Sequence, residues 1–260
     1  DRPAEVLLAG LVPKPRAHRR GELDARHGHA ALAEVDADAP GADRELQRVG
    51  DAASAAMVSA NLAEILISHG ELDRAKTLLE EARETLRASG LAAPAVFVDT
   101  QLARLELEKG RLDEASESLR ATIEEAVELQ HPYLVVDASF YLALAHRRGG
   151  ELEKALEVLD EADSVGGDEV IELGARIGLV RAGVLADTGD VVQAESVLQS
   201  ALALARDQSQ LWELAQILLA RADVAERAGR EVSPEELEEA RGLLQLFGTS
   251  PGASDPTSAS

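Results

Sequence analysis

The chain has no cysteine and few aromatic residues, with one Trp, two Tyr and three Phe among 260 residues. Without cysteine it has no disulfide framework and no thiolate metal site. No apolar run approaches the ~18 residues that a membrane-spanning helix needs. Because 45% of the residues are apolar but only 2% are aromatic, the core must consist of Ala, Leu and Val, which is typical of helical proteins. A reducing aqueous compartment is favoured, and we expect the chain to be cytoplasmic.

Positive charge is also scarce, because 26 Lys and Arg oppose 48 Asp and Glu, giving a net charge of -22. Such a chain repels nucleic acid and anionic lipid, and it has too few aromatics for base stacking. We therefore expect no direct nucleic-acid partner and no membrane partner. Residues 1–30 are the exception, with six basic and four acidic residues. Their tract PKPRAHRR, residues 13–20, is interpreted as a solvated linker or, alternatively, as an arm that docks on an acidic surface or on nucleic acid.

The short motifs of phosphate, zinc and dinucleotide sites are missing as well, namely G-x-x-x-x-G-K-[ST], H-E-x-x-H and G-x-G-x-x-G. GTSPG, residues 248–252, matches the nucleophile motif G-x-S-x-G, but that motif needs a preceding strand and a following helix. His18, Asp24, His27 and His29 would suit zinc or nickel, but they are more simply loop residues. We expect no catalytic residue, no cofactor site and no metal site.

What the sequence does contain is a repeated phrase. HGELDRAKTLLEEA at residues 69–82 returns as KGRLDEASESLRAT at residues 109–122. Five turn glycines recur 40, 40, 39 and 40 residues apart: Gly70, Gly110, Gly150, Gly189 and Gly229. Alanine stands seven residues before each of them, and five residues after the first four. Leucine stands nine residues after those four. This self-similarity indicates a repeat architecture.

Each repeat predicts two antiparallel helices, because apolar residues recur at helical spacing on both sides of the glycine. The glycine ends the first helix in a left-handed conformation, and the alanines allow the two helices to approach closely. Since one hairpin cannot cover its own apolar face, the units are expected to stack into an all-α, right-handed α-solenoid of about five helix-turn-helix repeats. The predicted helices are 52–68, 72–89, 93–108, 112–129, 132–147, 152–165, 168–187, 191–207, 210–228 and 234–247.

Three regions follow from this pattern: a basic linker and degenerate repeat remnant at 1–50, the helical-repeat array at 51–248, and a disordered tail at 249–260. The last helix begins differently, with Ser233 as N-cap and Pro234 in the first turn, which is typical of a capping repeat.

The start of the array has no comparable cap. GELDA at residues 21–25 repeats part of the phrase, and we expect a helix within residues 41–50 that stops at Gly50. From these features we expect Asp1 to be a cut point inside a longer protein, with a processed terminus as the alternative.

The hairpin pattern resembles the tetratricopeptide repeat (TPR), although a period of 40 exceeds that family's usual 34. RVGDAASAAMVSANLAEILISHGELDRA, residues 48–75, and EEARGLLQLFG, residues 238–248, are similar to the C-terminal repeats of actinobacterial signalling proteins that carry a class III adenylate/guanylate cyclase domain and an ATPase domain. The resemblance implies a non-catalytic sensor or docking arm of a bacterial signal-transduction protein. Similar arrays end large ATP-binding LuxR-type transcription activators, so an inducer-sensing arm of such an activator is an alternative, and a free-standing scaffold is another.

A partner-binding surface is expected on the first helices of the units, where polar residues occur that cannot all face inward. The candidates are Asn61, Glu64, Gln101, Arg104, Tyr141, His146, Arg176, Arg181, Gln216 and Arg221. The partner would be a protein, a peptide or the upstream domains of the same chain. Acidic runs such as Glu80 with Glu81, and Glu124 with Glu125, are interpreted as a solvated outer face or as an acidic groove for a basic peptide. An exposed apolar face on the first hairpin favours self-association.

Overall fold

The computed structural model describes residues 42–166 and 170–246, which form ten α-helices and no strand. In chain order they are α1 (Ala42–Ser68), α2 (Leu72–Ala88), α3 (Ala92–Glu108), α4 (Leu112–Glu128), α5 (Pro132–Arg148), α6 (Leu152–Gly166), α7 (Ile171–Thr188), α8 (Val191–Asp207), α9 (Leu211–Arg227) and α10 (Pro234–Leu246). They form five units of a first (odd-numbered) and a second (even-numbered) helix. Each helix packs against the next one, and each first helix also contacts the first helix of the following unit. This is the helical solenoid that the sequence predicts.

The turns between the helices share one geometry. The five repeat glycines and also Gly90 have positive φ angles, between 65° and 91°. After α1, the Glu71 N–H donates to the Leu66 carbonyl at 2.9 Å while Gly70 holds the left-handed position, which is the pattern of a Schellman motif. Because a Cβ is strained in this conformation, the glycine spacing determines where the first helices end.

Two turns between units use no glycine. Gln130 after α4 has a φ of 52°, and Ser209 after α8 has a φ of 54°. The backbone hydrogen bonds are nevertheless the same, since the His131 N–H donates to the Ala126 carbonyl at 3.0 Å. Closure of the turn therefore outweighs the strain of the side chain at these two joints.

Alanine and leucine fill the space between the helices as the repeated phrase predicts. The four leucines that lie nine residues after a turn glycine are completely buried, as are the four alanines five residues after it: Leu79, Leu119, Leu159, Leu198, Ala75, Ala115, Ala155 and Ala194. The apolar clusters cross the unit boundaries, so one cluster reaches from Ala103 in α3 to Val184 in α7. The interior is therefore continuous along the solenoid. None of the described helices is long and apolar enough to cross a membrane.

The first helix differs from the sequence prediction. A helix break at Gly50 was expected, but α1 runs without interruption from Ala42 to Ser68 and so crosses the boundary proposed between residues 50 and 51. Gly50 has helical neighbours on both sides and no positive φ angle. One glycine inside a helix costs about 1 kcal/mol relative to alanine, which a 27-residue helix with a packed face tolerates.

The last unit confirms its special start. Ser233 Oγ accepts a hydrogen bond from the Glu236 N–H at 3.2 Å, and Pro234 is the first residue of α10. Pro234 also stands where the earlier units have the alanine five residues after the glycine. The close helix contact is therefore lost here, and Ala222, the alanine before this turn, is half-buried. The linker at residues 1–41, Gly167 and the tail at 249–260 lie outside the described residues.

Candidate partner-binding surface

Most of the ten polar candidates are buried between consecutive first helices. The expectation that they are exposed is wrong for seven of them, whose exposed fractions are 8% or less: Glu64, Gln101, Arg104, Tyr141, His146, Arg176 and Gln216. Asn61, Arg181 and Arg221 are half-buried. The first helices contact each other along the solenoid, so a side chain that points away from its own hairpin meets the neighbouring unit instead of solvent.

The central buried group lies between units 3 and 4. Arg176 on α7 donates from Nη1 to Asp137 Oδ1 on α5 at 3.1 Å and from Nη2 to the Tyr141 hydroxyl oxygen at 3.3 Å. Its guanidinium also lies over the Phe140 ring, 4.2 Å from the centroid. These contacts compensate for the desolvation of a charge that is only 7% exposed.

Tyr141 connects this group to unit 2. The Arg104 guanidinium on α3 lies 5.7 Å from the Tyr141 ring centroid and that of Arg176 lies 5.6 Å from it. Burial raises the pKa of the Tyr141 hydroxyl above its ordinary value of 10, because the ionised form would lose its hydration. On the other side, Arg104 forms an ion pair with Glu64 on α1 at 3.9 Å. The polar contacts thus extend from unit 1 to unit 4.

The ion pairs of this interior follow a positional rule. Glu64 and Arg104 each lie six residues before the turn glycine of their own unit, and Asp137 and Arg176 each lie thirteen residues before it. Near the ends of the first helices, Arg148 pairs with Glu108 at 3.4 Å, and both stand two residues before their glycines. Residues at equivalent positions in consecutive units are therefore direct partners.

Asp187 extends the rule to the last unit. It accepts hydrogen bonds from Arg147 Nε at 2.7 Å and from Arg227 Nη1 at 2.9 Å, and so joins units 3, 4 and 5. Arg147 crosses α7 at Gly183, where a Cβ would lie 2.3 Å from the guanidinium. The sequence search missed Asp137, Asp187 and Gly183. The signal that would have found the pairs was opposite charge at equivalent positions 39 or 40 residues apart.

The remaining candidates bind second helices. Arg181 donates to Asp160 at 2.5 Å and to Asp163 at 2.7 Å, both on α6. His146 forms a 2.5 Å contact from Nδ1 to Glu151 Oε2, and Lys154 and His146 together lower the pKa of the Glu151 carboxyl. Among the described residues no three His, Asp or Glu side chains are grouped to hold a metal ion. The histidines expected as weak ligands, at positions 18, 27 and 29, lie outside those residues.

Arg221 closes a shallow cleft beside the capping helix. It donates to both carboxylate oxygens of Glu236 on α10 at 3.0–3.2 Å and to Gln199 on α8 at 3.1 Å. Across the cleft, Arg230 donates to both oxygens of Glu195 at 2.8–2.9 Å, which lowers the pKa of that carboxyl. The charges lining the cleft are thus paired with each other, and the cleft serves to attach α10 to unit 4.

The acidic side chains, by contrast, are open to solvent on the second helices. The α4 segment holds six acidic residues and one basic residue, and α6 holds five and one, for net charges of -5 and -4. Their exposed members include Glu114, Glu117, Glu124, Glu128 and Glu161. One glutamate of the expected pairs is engaged, because Arg87 donates to both oxygens of Glu125 at 2.7–2.8 Å and lowers its pKa. The accessible charged surface of the solenoid is therefore acidic.

Solved structures with the same arrangement come from different organisms. BtubC (BKLC) from P. vanneervenii is 20% identical with a TM-score of 0.58, over 92% of this chain and 97% of that one. Aspartyl phosphate phosphatase F from Bacillus subtilis is 11% identical with a TM-score of 0.60, over 75% of this chain and 50% of that one. A variant of the putative kinesin light chain TPR-like repeats of Podosopora anserina is 19% identical with a TM-score of 0.51, over 75% and 97%.

These structures establish the likeness of fold alone, since all are under 25% identical. No curated protein matches the chain by sequence. The family described as MalT-like TPR region, however, matches residues 5–245, which is nearly the whole sequence. With five stacked helix hairpins and this match, the chain belongs to the MalT-like TPR region family.

Proposed function

We propose that the chain is a non-catalytic protein-interaction and regulatory module of a larger bacterial signal-transduction protein. The observation that carries this proposal is its membership of the MalT-like TPR region family, because TPR-type repeats generally mediate protein–protein interaction. The described residues add no grouped metal ligands, and their buried polar side chains are engaged in contacts between units. The accessible surface is left to serve binding. We keep the cytoplasm as the proposed compartment.

The binding surface that we propose is the acidic face of α4 and α6, with its partner a basic surface of another protein or of another domain in the same parent chain. Glu114, Glu117, Glu124 and Glu128 share one side of α4, since their spacings of three, seven and four residues match the helical repeat. Arg181 and Arg221, the half-buried arginines of the original candidates, border second helices and would contact a partner only at its edge.

The experiment is a binding titration. A fluorescein-labelled Lys/Arg-rich peptide and a scrambled neutral peptide of the same length are titrated with the chain at low and at physiological salt. We expect binding of the basic peptide only, weakened by salt, and weakened at least about tenfold by the triple variant E114Q/E117Q/E124Q. A charge-matched triple variant of exposed glutamates in the last unit, E231Q/E235Q/E238Q, should bind as the wild type does. Equal affinity for both peptides would contradict the proposed surface.

For the parent protein, we infer a nucleotidyl cyclase coupled to an ATPase. The resemblance of residues 48–75 and 238–248 to the repeats of such proteins supports it, and a MalT-like TPR region is consistent with an ATPase-associated regulator. Sequencing the gene on both sides of this chain tests the inference. Cyclase and ATPase motifs in the same reading frame are the expected result, and a reading frame without them would contradict it.

The family match equally favours the inducer-sensing arm of a large ATP-binding LuxR-type activator as a second candidate. The two candidates share the ATPase domain and differ in the output domain. A DNA-reading domain in the parent reading frame, in place of the cyclase, would support the second. A free-standing scaffold requires a reading frame with no further domain.

A further inference from the structure

An apolar stripe is exposed on α1. Val58, Leu62 and Ile65 are 59%, 45% and 40% exposed, and their spacings of four and three residues place them on one side of the helix. A chain with a net charge of -22 has other places for solvent contact. Three adjacent large apolar side chains at these exposures indicate a face that packs against something.

The later units show what this stripe corresponds to. Val98, Ala138, Ile177 and Ile217 hold the position of Val58, twelve residues before the turn glycine, and are 0–5% exposed. The residues equivalent to Ile65 are 0–3% exposed: Leu105, Ala145, Val184 and Val224. Each of those first helices packs against the second helix of the preceding unit, whereas no described element precedes α1. The stripe is thus the unit interface without its partner.

The sequence directly before α1 has features of that partner. Gly21, Leu23 and Asp24 repeat the Gly-x-Leu-Asp of Gly70–Asp73 and of Gly110–Asp113, which begins a second helix in both units. The apolar residues of AALAEV, residues 30–35, follow at the distance where the units carry their buried leucines. The family match also begins at residue 5, so it includes this segment.

We propose that residues 21–40 cover the Val58–Leu62–Ile65 stripe, in the place that the second helix of a preceding unit takes elsewhere in the solenoid. The occupant is a segment of the same chain, and binding needs no second molecule. Because the segment and the stripe are joined by a short connection, the local concentration is high and the contact forms without the entropic cost of association.

Thiol labelling of the full chain tests this directly, because the sequence has no cysteine of its own. Val58→Cys is compared with Val192→Cys, an exposed control whose side chain is 75% exposed, and with the buried Val98→Cys. We expect the Val58→Cys thiol to react with a maleimide at least tenfold more slowly than the Val192→Cys thiol. Adding Leu23→Asp and Leu32→Asp to Val58→Cys should raise its rate at least tenfold, while the same pair leaves the Val192→Cys rate unchanged.

Two results would overturn the proposal. If Val58→Cys reacts as fast as Val192→Cys, the stripe is open. If it reacts slowly but the two aspartates have no effect and dilution raises the rate, a second copy covers the stripe, which is the self-association that the sequence favours. Far-UV circular dichroism of each variant confirms that α1 remains folded, so loss of structure is separated from loss of cover. None of these outcomes depends on the parent protein or on the acidic surface.

Discussion

Asp137 on α5 and Arg176 on α7 occupy the same position in consecutive units and hydrogen-bond each other in the interior at 3.1 Å. Glu64 with Arg104, Glu108 with Arg148, and Asp187 with Arg227 form pairs by the same rule. The polar side chains that distinguish one unit from another are thus each other's partners. They specify which unit stacks on which, while alanine and leucine supply the packing that all units share.

Packing energy is tested at Leu119, which is completely buried nine residues after Gly110. Leu119→Ala should lower the free energy of unfolding by about 2–5 kcal/mol, because it removes apolar contacts and leaves a cavity between helices. Val127→Ala, on the same helix at 55% exposure, is the matched control and should change it by less than about 0.5 kcal/mol. Urea unfolding followed by circular dichroism measures both. Equal effects would contradict the assigned faces of α4.

The crossing of Arg147 over Gly183 predicts a coupling between the two positions. In an Arg147→Ala background, Gly183→Ala should raise the free energy of unfolding by up to about 1 kcal/mol, because alanine favours helix. In the wild-type background the new Cβ would lie 2.3 Å from the guanidinium, so Arg147 must move and its hydrogen bond to Asp187 is strained or lost. There the gain should vanish or reverse. An identical effect of Gly183→Ala in both backgrounds would show that the crossing does not constrain residue 183.

Left-handed turns give a prediction in the opposite direction. Gln130→Gly should raise the free energy of unfolding by about 1 kcal/mol, because Gln130 has a φ of 52° and glycine adopts this conformation without a Cβ clash. Gly110→Ala, at a φ of 76°, should lower it by a similar amount. The thermal midpoints of the two variants should therefore move apart on either side of the wild type. A lower midpoint for Gln130→Gly would be inconsistent with the turn geometry.

The Arg87–Glu125 pair predicts a dependence on acid. Because its hydrogen bonds from Arg87 lower the pKa of Glu125 in the folded chain, its stabilising effect is complete above the ordinary glutamate pKa of 4.5. The effect is lost as the pH falls below 4.5 through the lowered folded-state pKa. The stability difference between wild type and Glu125→Gln should be largest near pH 7 and shrink in acid. Glu124→Gln, an exposed neighbour, controls for loss of a surface charge, and a difference that grows in acid would contradict the pairing.

The repeat phrase was sufficient to predict most of the fold. Turn glycines, packing alanines and leucines recur because each has the same mechanical role in every unit, so periodicity locates the hairpins. Gly50 misled the prediction because a single glycine is a weak helix breaker against a long packed face. Gln130 and Ser209 were not recognised as left-handed, because the backbone bonds that hold them there depend on the neighbouring unit.

The polar candidates could not be placed from one sequence, because their exposure depends on how closely the first helices approach. A side chain such as Arg176 is polar and lies off the hairpin's apolar face, which suggests solvent contact. Its actual environment is Asp137, Tyr141 and Phe140 of the preceding unit. The positional rule of charge pairs explains this afterwards, and a search for opposite charges one repeat apart would have anticipated it.

The most direct test of this positional pairing is charge reversal at Asp137 and Arg176. Asp137→Arg and Arg176→Asp each place like charges together in the interior and should each lower the free energy of unfolding by about 3–5 kcal/mol. The double variant restores an opposite pair at equivalent positions, and we expect it to regain more than half of the summed loss. If the two losses instead add to within about 0.5 kcal/mol in the double variant, the two residues act independently and the pairing of equivalent positions does not specify the stacking of the units.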